Sequence, residues 1–122
     1  MDTNEYQNGT AETAIYHKSI RTFLNVATVQ QTHYLLLLNY LSNGLTGEAG
    51  EVASLVKKLM RDATPAPEFD AKLRKEIGDC MWYISEICNL QGWELAAVMQ
   101  DNIDKLRSRK ERGVLSGSGD ER

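Results

Sequence analysis

The sequence predicts an all-α protein, a helical bundle of about five helices. Three observations predict it. Apolar residues recur at helical spacing through most of the chain. No stretch alternates apolar with polar residues over the length of a strand. The breaks between periodic segments carry the glycine and proline signals that end helices. The chain has 122 residues, the size of one ordinary domain.

The elements follow in order. A first helix is expected over about residues 3–18, with Tyr6, Ala11, Ala14 and Ile15 to one side and Asn8-Gly9 weakening it. A second is expected from about Thr28 to Leu41, closed by Asn43-Gly44. A third opens near Thr46 and ends near Arg61. The clearest break is DATPAPEFD, residues 62–70, whose two prolines do not belong in a helix interior. A fourth helix is expected from about Asp70 to Leu90, with Leu73, Ile77, Met81, Ile84 and Cys88 at helical spacing, and Gln91-Gly92 stops it. A fifth runs from about Glu94 to Glu111. Residues 1–112 thus form one domain, and 113–122, GVLSGSGDER less its charged end rich in glycine and serine, form a tail expected to be mobile unless something orders it. The third and fourth helices are apolar over wide arcs, which suits either a second subunit or a central position in a monomer.

Composition narrows the function. The chain is 42% hydrophobic and 25% charged with net charge −3, so no strong positive field recruits nucleic acid or an anionic membrane. The N-terminus lacks the basic start and apolar run of a signal peptide. The longest apolar run, Leu35 to Leu38, is far too short to span a bilayer. A cytoplasmic protein is expected. Cys80 and Cys88 on one helix would lie roughly 12 Å apart, beyond the ~7 Å limit for a disulfide, so both should be free thiols. His17 and His33 have no partner at metal-ligand spacing and read as ordinary polar or packing residues.

The acids are the informative residues. Seventeen acids in 122 residues give roughly 2.3 pairs three apart by random placement, and the chain has four, so counting decides nothing and position must. On a helical projection Glu76 falls near the arc of Leu73, Cys80 and Ile84, with Asp79 at its edge beside Tyr83. Glu48 falls between Val52 and Leu55, with Glu51 at the edge. Asp101 and Asp104 lie away from Leu95, Val98 and Leu106 and read as solvated. Folding the third and fourth helices into a hairpin about Pro65 places Glu51 opposite Asp79 and brings Glu48 within two turns of Glu76. Four carboxylates at one partly dry level need a counter-charge: protons, Lys or Arg, or a metal. An oxygen-only set suits a hard cation, Mg²⁺ or Mn²⁺. The plainer alternative pairs these acids with Lys57, Lys58, Lys72 or Lys75 at the surface.

GLTGEAGEV followed by KEIGDCMWYI resembles the all-α nucleoside triphosphate pyrophosphohydrolases of the MazG type. The family pattern of Glu-x-x-Glu, a spacer, then Glu-x-x-Asp reads here as Glu48, Glu51, Glu76 and Asp79, with Gly47, Gly50 and Gly78 in the usual wording. DNIDKLRSRKERG resembles the family's Asn-x-x-Lys-Leu-x-x-Arg stretch through Asn102, Lys105, Leu106 and Arg109. EYQNGTAETAIY and GSGDER resemble the compact, phage- and cassette-type members. The resemblance covers nearly the whole chain; the acidic motif is its specific part.

The resemblance implies a MazG-like architecture and cleavage of a (deoxy)nucleoside triphosphate between the α- and β-phosphates, giving monophosphate and pyrophosphate. It implies Mg²⁺, with Mn²⁺ as a substitute, held by Glu48, Glu51, Glu76 and Asp79. It implies a homodimer or a tetramer built from dimers. Glu51 is the preferred general base, with Glu48 or Glu76 as substitutes. Asn102, Lys105 and Arg109 recur along one face of the fifth helix, where an apolar stripe turns cationic. Alone, that pattern reads as a basic helix end complementing the macrodipole; beside the acids, phosphate binding is the expected role. Asn4, Gln7 and Tyr16 are candidates for the base pocket. Trp82 and Trp93 could stack on a base but by ordinary odds belong to the core. Related readings are a dUTP or phosphoribosyl-ATP pyrophosphohydrolase. A different class is a non-catalytic helical interaction or regulatory module.

Overall fold

The computed structural model describes residues 2–63 and 65–120. They form five helices and no strand, the all-α class the periodicity predicts: α1 Thr3–Thr13, α2 Tyr16–Val26, α3 Val29–Asp62, α4 Ala66–Gln91 and α5 Leu95–Glu111. Two compact units divide within α3, Met1–Leu37 and Leu38–Arg122. None of the described helices is long and apolar enough to cross a membrane.

In the first unit, α1 opens on a reciprocal cap. The Glu5 N–H donates to Asp2 Oδ1 and the Asp2 N–H donates to Glu5 Oε2, both at 2.8 Å. Extended Ala14 ends α1 after Thr13, so the single helix expected over 3–18 is two. Residues 19–26, for which no element is expected, belong to α2, and Ala27 ends it. Its signal was present: Ile20, Phe23 and Ala27 fall at helical spacing, and Phe23 and Ala27 are half-buried. Thr28 and Gln31 then cap α3, with Gln31 N–H to Thr28 Oγ1 at 3.1 Å and Thr28 N–H to Gln31 Oε1 at 2.8 Å.

The second unit carries the largest correction. Asn43-Gly44 does not end a helix; α3 runs unbroken through it for 34 residues. Asn43 Nδ2 donates to the Asn39 carbonyl at 2.8 Å, one turn back. Gly44 serves packing instead of termination: a Cβ there would fall inside the ring of Tyr83 on α4. What ends α3 is Ala63, left-handed at φ 49. The helix expected from Asp70 begins four residues earlier, at Ala66, with Pro65 as its cap and Pro67 in its first turn, where proline's missing N–H costs nothing. Gly92 at φ 68 and Gly113 at φ 71 end α4 and α5 by the same device. In each the N–H one residue past the glycine, Trp93 or Val114, donates back to Cys88 or Arg109 at 2.9 Å.

Most of the covered residues of α3 and α4 fall on two seams of alternating three- and four-residue steps, with Gly44, Ser54, Ser85, Glu86 and Cys88 covered beside them. On α3 they are Leu38, Leu41, Leu45, Glu48, Val52, Leu55 and Leu59, all half-buried. On α4 they are Phe69, Leu73, Glu76, Cys80, Tyr83, Ile87 and Leu90, also half-buried. A glutamate therefore sits mid-seam on each helix, where the pattern otherwise places apolar side chains. Cys88 is the one fully buried apolar residue among those described, and both cysteines are free. Ile77, Met81 and Ile84, assigned to the inward face of α4, are each at least 40% exposed. Trp82 and Trp93, expected in the core, are 55% and 56% exposed. One chain leaves much of its apolar surface uncovered, so helical spacing alone overstated what it buries.

Candidate active site

The hairpin brings Glu48 of α3 together with Glu76 and Asp79 of α4. Each offers a carboxylate oxygen, and the three oxygens lie within 4.8 Å of one another. Glu48 and Glu76 are half-buried and Asp79 is exposed, so the cluster lies at the edge of the seam and opens to solvent. Gly44 against Tyr83 and Glu48 beside Asp79 give the same antiparallel register, symmetric about a point just after Ala63. A hairpin pivoting on Pro65, as expected from the prolines, would place Glu51 opposite Asp79. The earlier pivot moves the partner one turn along α3, and Glu48 takes that place. Glu51 is exposed and stands outside the three-carboxylate group.

The charges of the cluster are not met by the lysines nearest in sequence. Lys72 bonds Glu68 at 2.6 Å, one turn away on α4. Among the described residues no ion pair joins Lys57, Lys58 or Lys75 to Glu48, Glu76 or Asp79. Gly47, Gly50 and Gly78 each precede an acid of the motif, and a Cβ on any of them would meet nothing within 4 Å. Three oxygen donors, clustered and lacking a protein cation, fit a hard divalent ion in both chemistry and spacing.

Tyr83 is the neighbour that sequence reasoning named only as a bystander. Its ring fills the notch at Gly44. Burial pushes its hydroxyl pKa up, and Tyr40, Glu48 and Asp79 push it further the same way. The phenol therefore stays protonated through neutral pH, a hydrogen-bond donor beside the acids. Trp82 stands edge-on to it, ring centroids 4.9 Å apart at 89°. The signal that could have found Tyr83 was its seam position seven residues after Glu76.

The basic residues of α5 behave differently. Arg109 is 5% exposed, the one buried charged residue among those described. Its Nη2 donates to the Asp120 carbonyl at 2.7 Å and to Asp120 Oδ1 at 3.0 Å. Lys105 Nζ lies 3.6 Å from the same Oδ1. The Arg109 hydrogen bond, then the charge of Lys105, hold the Asp120 carboxyl below its usual pKa. Asn102 and Lys105 line one shallow depression of α5 with Val98 and Asp101. Asp104, read as solvated, is exposed and engaged locally with Gln100 and Arg107.

The MazG nucleotide pyrophosphohydrolase domain model matches residues 37–114, which include the acid cluster, Tyr83 and all three α5 residues. The chain belongs to the MazG nucleotide pyrophosphohydrolase family. It is similar to the Gene 37 protein of Mycobacterium phage L5, 47% identical over 87 residues that cover 70% of this chain and 76% of that protein. No solved structure matches it significantly.

Proposed function

We infer that the protein is a Mg²⁺-dependent hydrolase that cleaves (deoxy)nucleoside triphosphates between the α- and β-phosphates, releasing monophosphate and pyrophosphate. The observation that carries this reading is the three-carboxylate group, oxygens within 4.8 Å, placed on a seam that is otherwise apolar inside a MazG domain. A seam carboxylate is unfavourable for packing and stability unless a ligand uses it.

Glu48, Glu76 and Asp79 would hold the cation, and Glu51, one turn from Glu48, is the fourth acid of the motif. A divalent cation there supplies positive charge for phosphate oxygens and makes water more acidic. Glu51 is the preferred base because it is exposed and free of the three-oxygen group; Glu48 is the substitute. The proton leaves the attacking water for that carboxylate, the new P–O bond forms, and the α–β anhydride bond breaks. The Tyr83 hydroxyl, protonated near Glu48 and Asp79, is a donor available to one of their oxygens. Asn102, Lys105 and Arg109 bind phosphate oxygens, Arg109 with its planar fork. Trp82, tied to Tyr83, offers an exposed face for a base. The exposed apolar residues of α4, Ile77, Met81 and Ile84, support a homodimer or a dimer of dimers in which a second copy covers them. Two free thiols suit the reducing cytoplasm.

The test is product analysis. Incubation with each common NTP and dNTP and with dUTP, in Mg²⁺ and in EDTA, should give monophosphate and pyrophosphate, abolished by EDTA. Diphosphate and phosphate would mean the wrong bond was assigned. No turnover of any nucleotide would favour a binding protein.

A further inference from the structure

We propose that the C-terminal tail is a strap whose Asp120 carboxylate occupies the phosphate-binding cations Lys105 and Arg109, and that pyrophosphate or the substrate's phosphates displace it. The proposal rests on the reading of those two residues as a phosphate site.

Three left-handed glycines, Gly113 at φ 71, Gly117 at φ 110 and Gly119 at φ 88, let the chain reverse after α5 and return along it. The return ends with Asp120 on Arg109, eleven residues back in sequence. Val114, half-buried, starts the return, but Ser116 to Gly119 carry no apolar side chain, and at the far end it is Asp120 that meets the two cations.

The fit is incomplete in an informative way. A guanidinium meets a matched oxyanion through two parallel N–H bonds, and Nε with Nη2 form one such pair. Here both acceptors of Asp120, its carbonyl oxygen and Oδ1, crowd onto Nη2. Arg109 Nε is buried and has no partner. An unpaired buried donor is costly. A phosphate, with several oxygens on one centre, could satisfy Nε and Nη2 together and still reach Lys105; the tail carboxylate satisfies one nitrogen and sits at 3.6 Å from the other cation. Asp120 is itself 81% exposed, so water reaches the carboxylate side of the contact. The strap is therefore a weak internal competitor: it neutralises the cations when the site is empty and yields to a better oxyanion.

The experiment uses the full chain and inorganic pyrophosphate. Backbone amide NMR of Gly117, Gly119 and Asp120 reports whether the tail is docked, and calorimetry reports pyrophosphate affinity, for the wild type and for Asp120→Asn. Docked tail amides in the free wild type should become mobile on addition of pyrophosphate. Asp120→Asn should loosen them without ligand and bind pyrophosphate roughly three- to tenfold more tightly, the gain expected from removing two charge contacts whose carboxylate is largely exposed. Unchanged or weaker binding by Asp120→Asn would overturn the proposal and make the contact a structural clamp, as would tail amides that stay ordered at saturating pyrophosphate. These readouts are independent of turnover. A chain that hydrolyses no nucleotide yet releases its tail to pyrophosphate keeps the strap and loses the enzymatic reading; an active enzyme whose tail ignores pyrophosphate does the reverse.

Discussion

The acid level of the α3–α4 hairpin and the basic end of α5 present opposite electrostatic problems. At the first, three carboxylate oxygens converge within 4.8 Å, and among the described residues no ion pair neutralises them. At the second, a 95%-buried arginine and a neighbouring lysine already share a carboxylate supplied by the chain's own tail. One region lacks a cation and the other has borrowed an anion. A metal–triphosphate carries both missing charges. The difference teaches that a site can store its need for ligand unevenly: exposed to water where solvent can screen it, internally satisfied where burial would make an unpaired charge expensive.

The largest expected effect comes from removing an acid at the seam. Glu76→Gln should lower pyrophosphohydrolase activity by about a hundredfold or more, since even partners behind a metal ligand cost 10- to 100-fold in affinity or activity. Its circular dichroism should match the wild type. Activity kept within a few-fold would mean the acid level is not where the chemistry occurs.

Next in size is the notch that sets the register. Gly44→Ala places a methyl in the Tyr83 ring. Overpacking of this kind costs about 1–3 kcal/mol, read as a fall in the urea midpoint. Because the same register aligns Glu48 with Asp79, metal affinity should fall in parallel. Lost stability with intact metal binding would separate the two.

A smaller effect of opposite sign follows at Glu48. Glu48→Gln removes one of the three facing charges and should stabilise the protein in EDTA by about 1 kcal/mol, the trade expected of a site residue. Destabilisation in EDTA would instead point to a structural ion pair.

The smallest effect concerns the tail. Asp120 is held below its usual pKa by Arg109 and Lys105, the two charged groups that contact it. A depressed carboxylate pKa means the contact is complete above the ordinary aspartate range and is lost only as pH falls through the lowered value. Tail amide shifts should therefore stay constant from neutral pH down through the usual range and change below it. Release at mildly acidic pH would contradict the assignment. Added salt should loosen the tail at neutral pH, since the pair is exposed on the Asp120 side.

Much of this architecture was legible in the sequence, and the exceptions have physical reasons. The helical class, the proline break and the ends of α4 and α5 follow from periodicity, Pro65, Pro67, Gly92 and Gly113, whose local chemistry acts alone. Gly44 misled because a glycine that ends a helix and one that admits a neighbouring ring look identical in one dimension; only Tyr83 distinguishes them. The pivot error had the same origin: Pro67 reads as a breaker but sits in the first turn of α4. Glu48, Glu76 and Asp79 were legible as a group because seam spacing is local to each helix, whereas which acid faces which depended on the loop. The tail contact was invisible, because an eleven-residue return depends on three glycine torsions that no periodicity records. The exposure of Trp82 and Trp93 was misread because helical spacing assigns a face and not a partner to cover it.

The most direct test of the account is Mn²⁺ binding followed by electron paramagnetic resonance, without nucleotide, on the wild type and on Glu76→Gln. The account predicts saturable binding to the wild type, competed by Mg²⁺ and lost or greatly weakened in Glu76→Gln. Equal binding by both proteins would show that the three carboxylates on the α3–α4 seam are not a metal site.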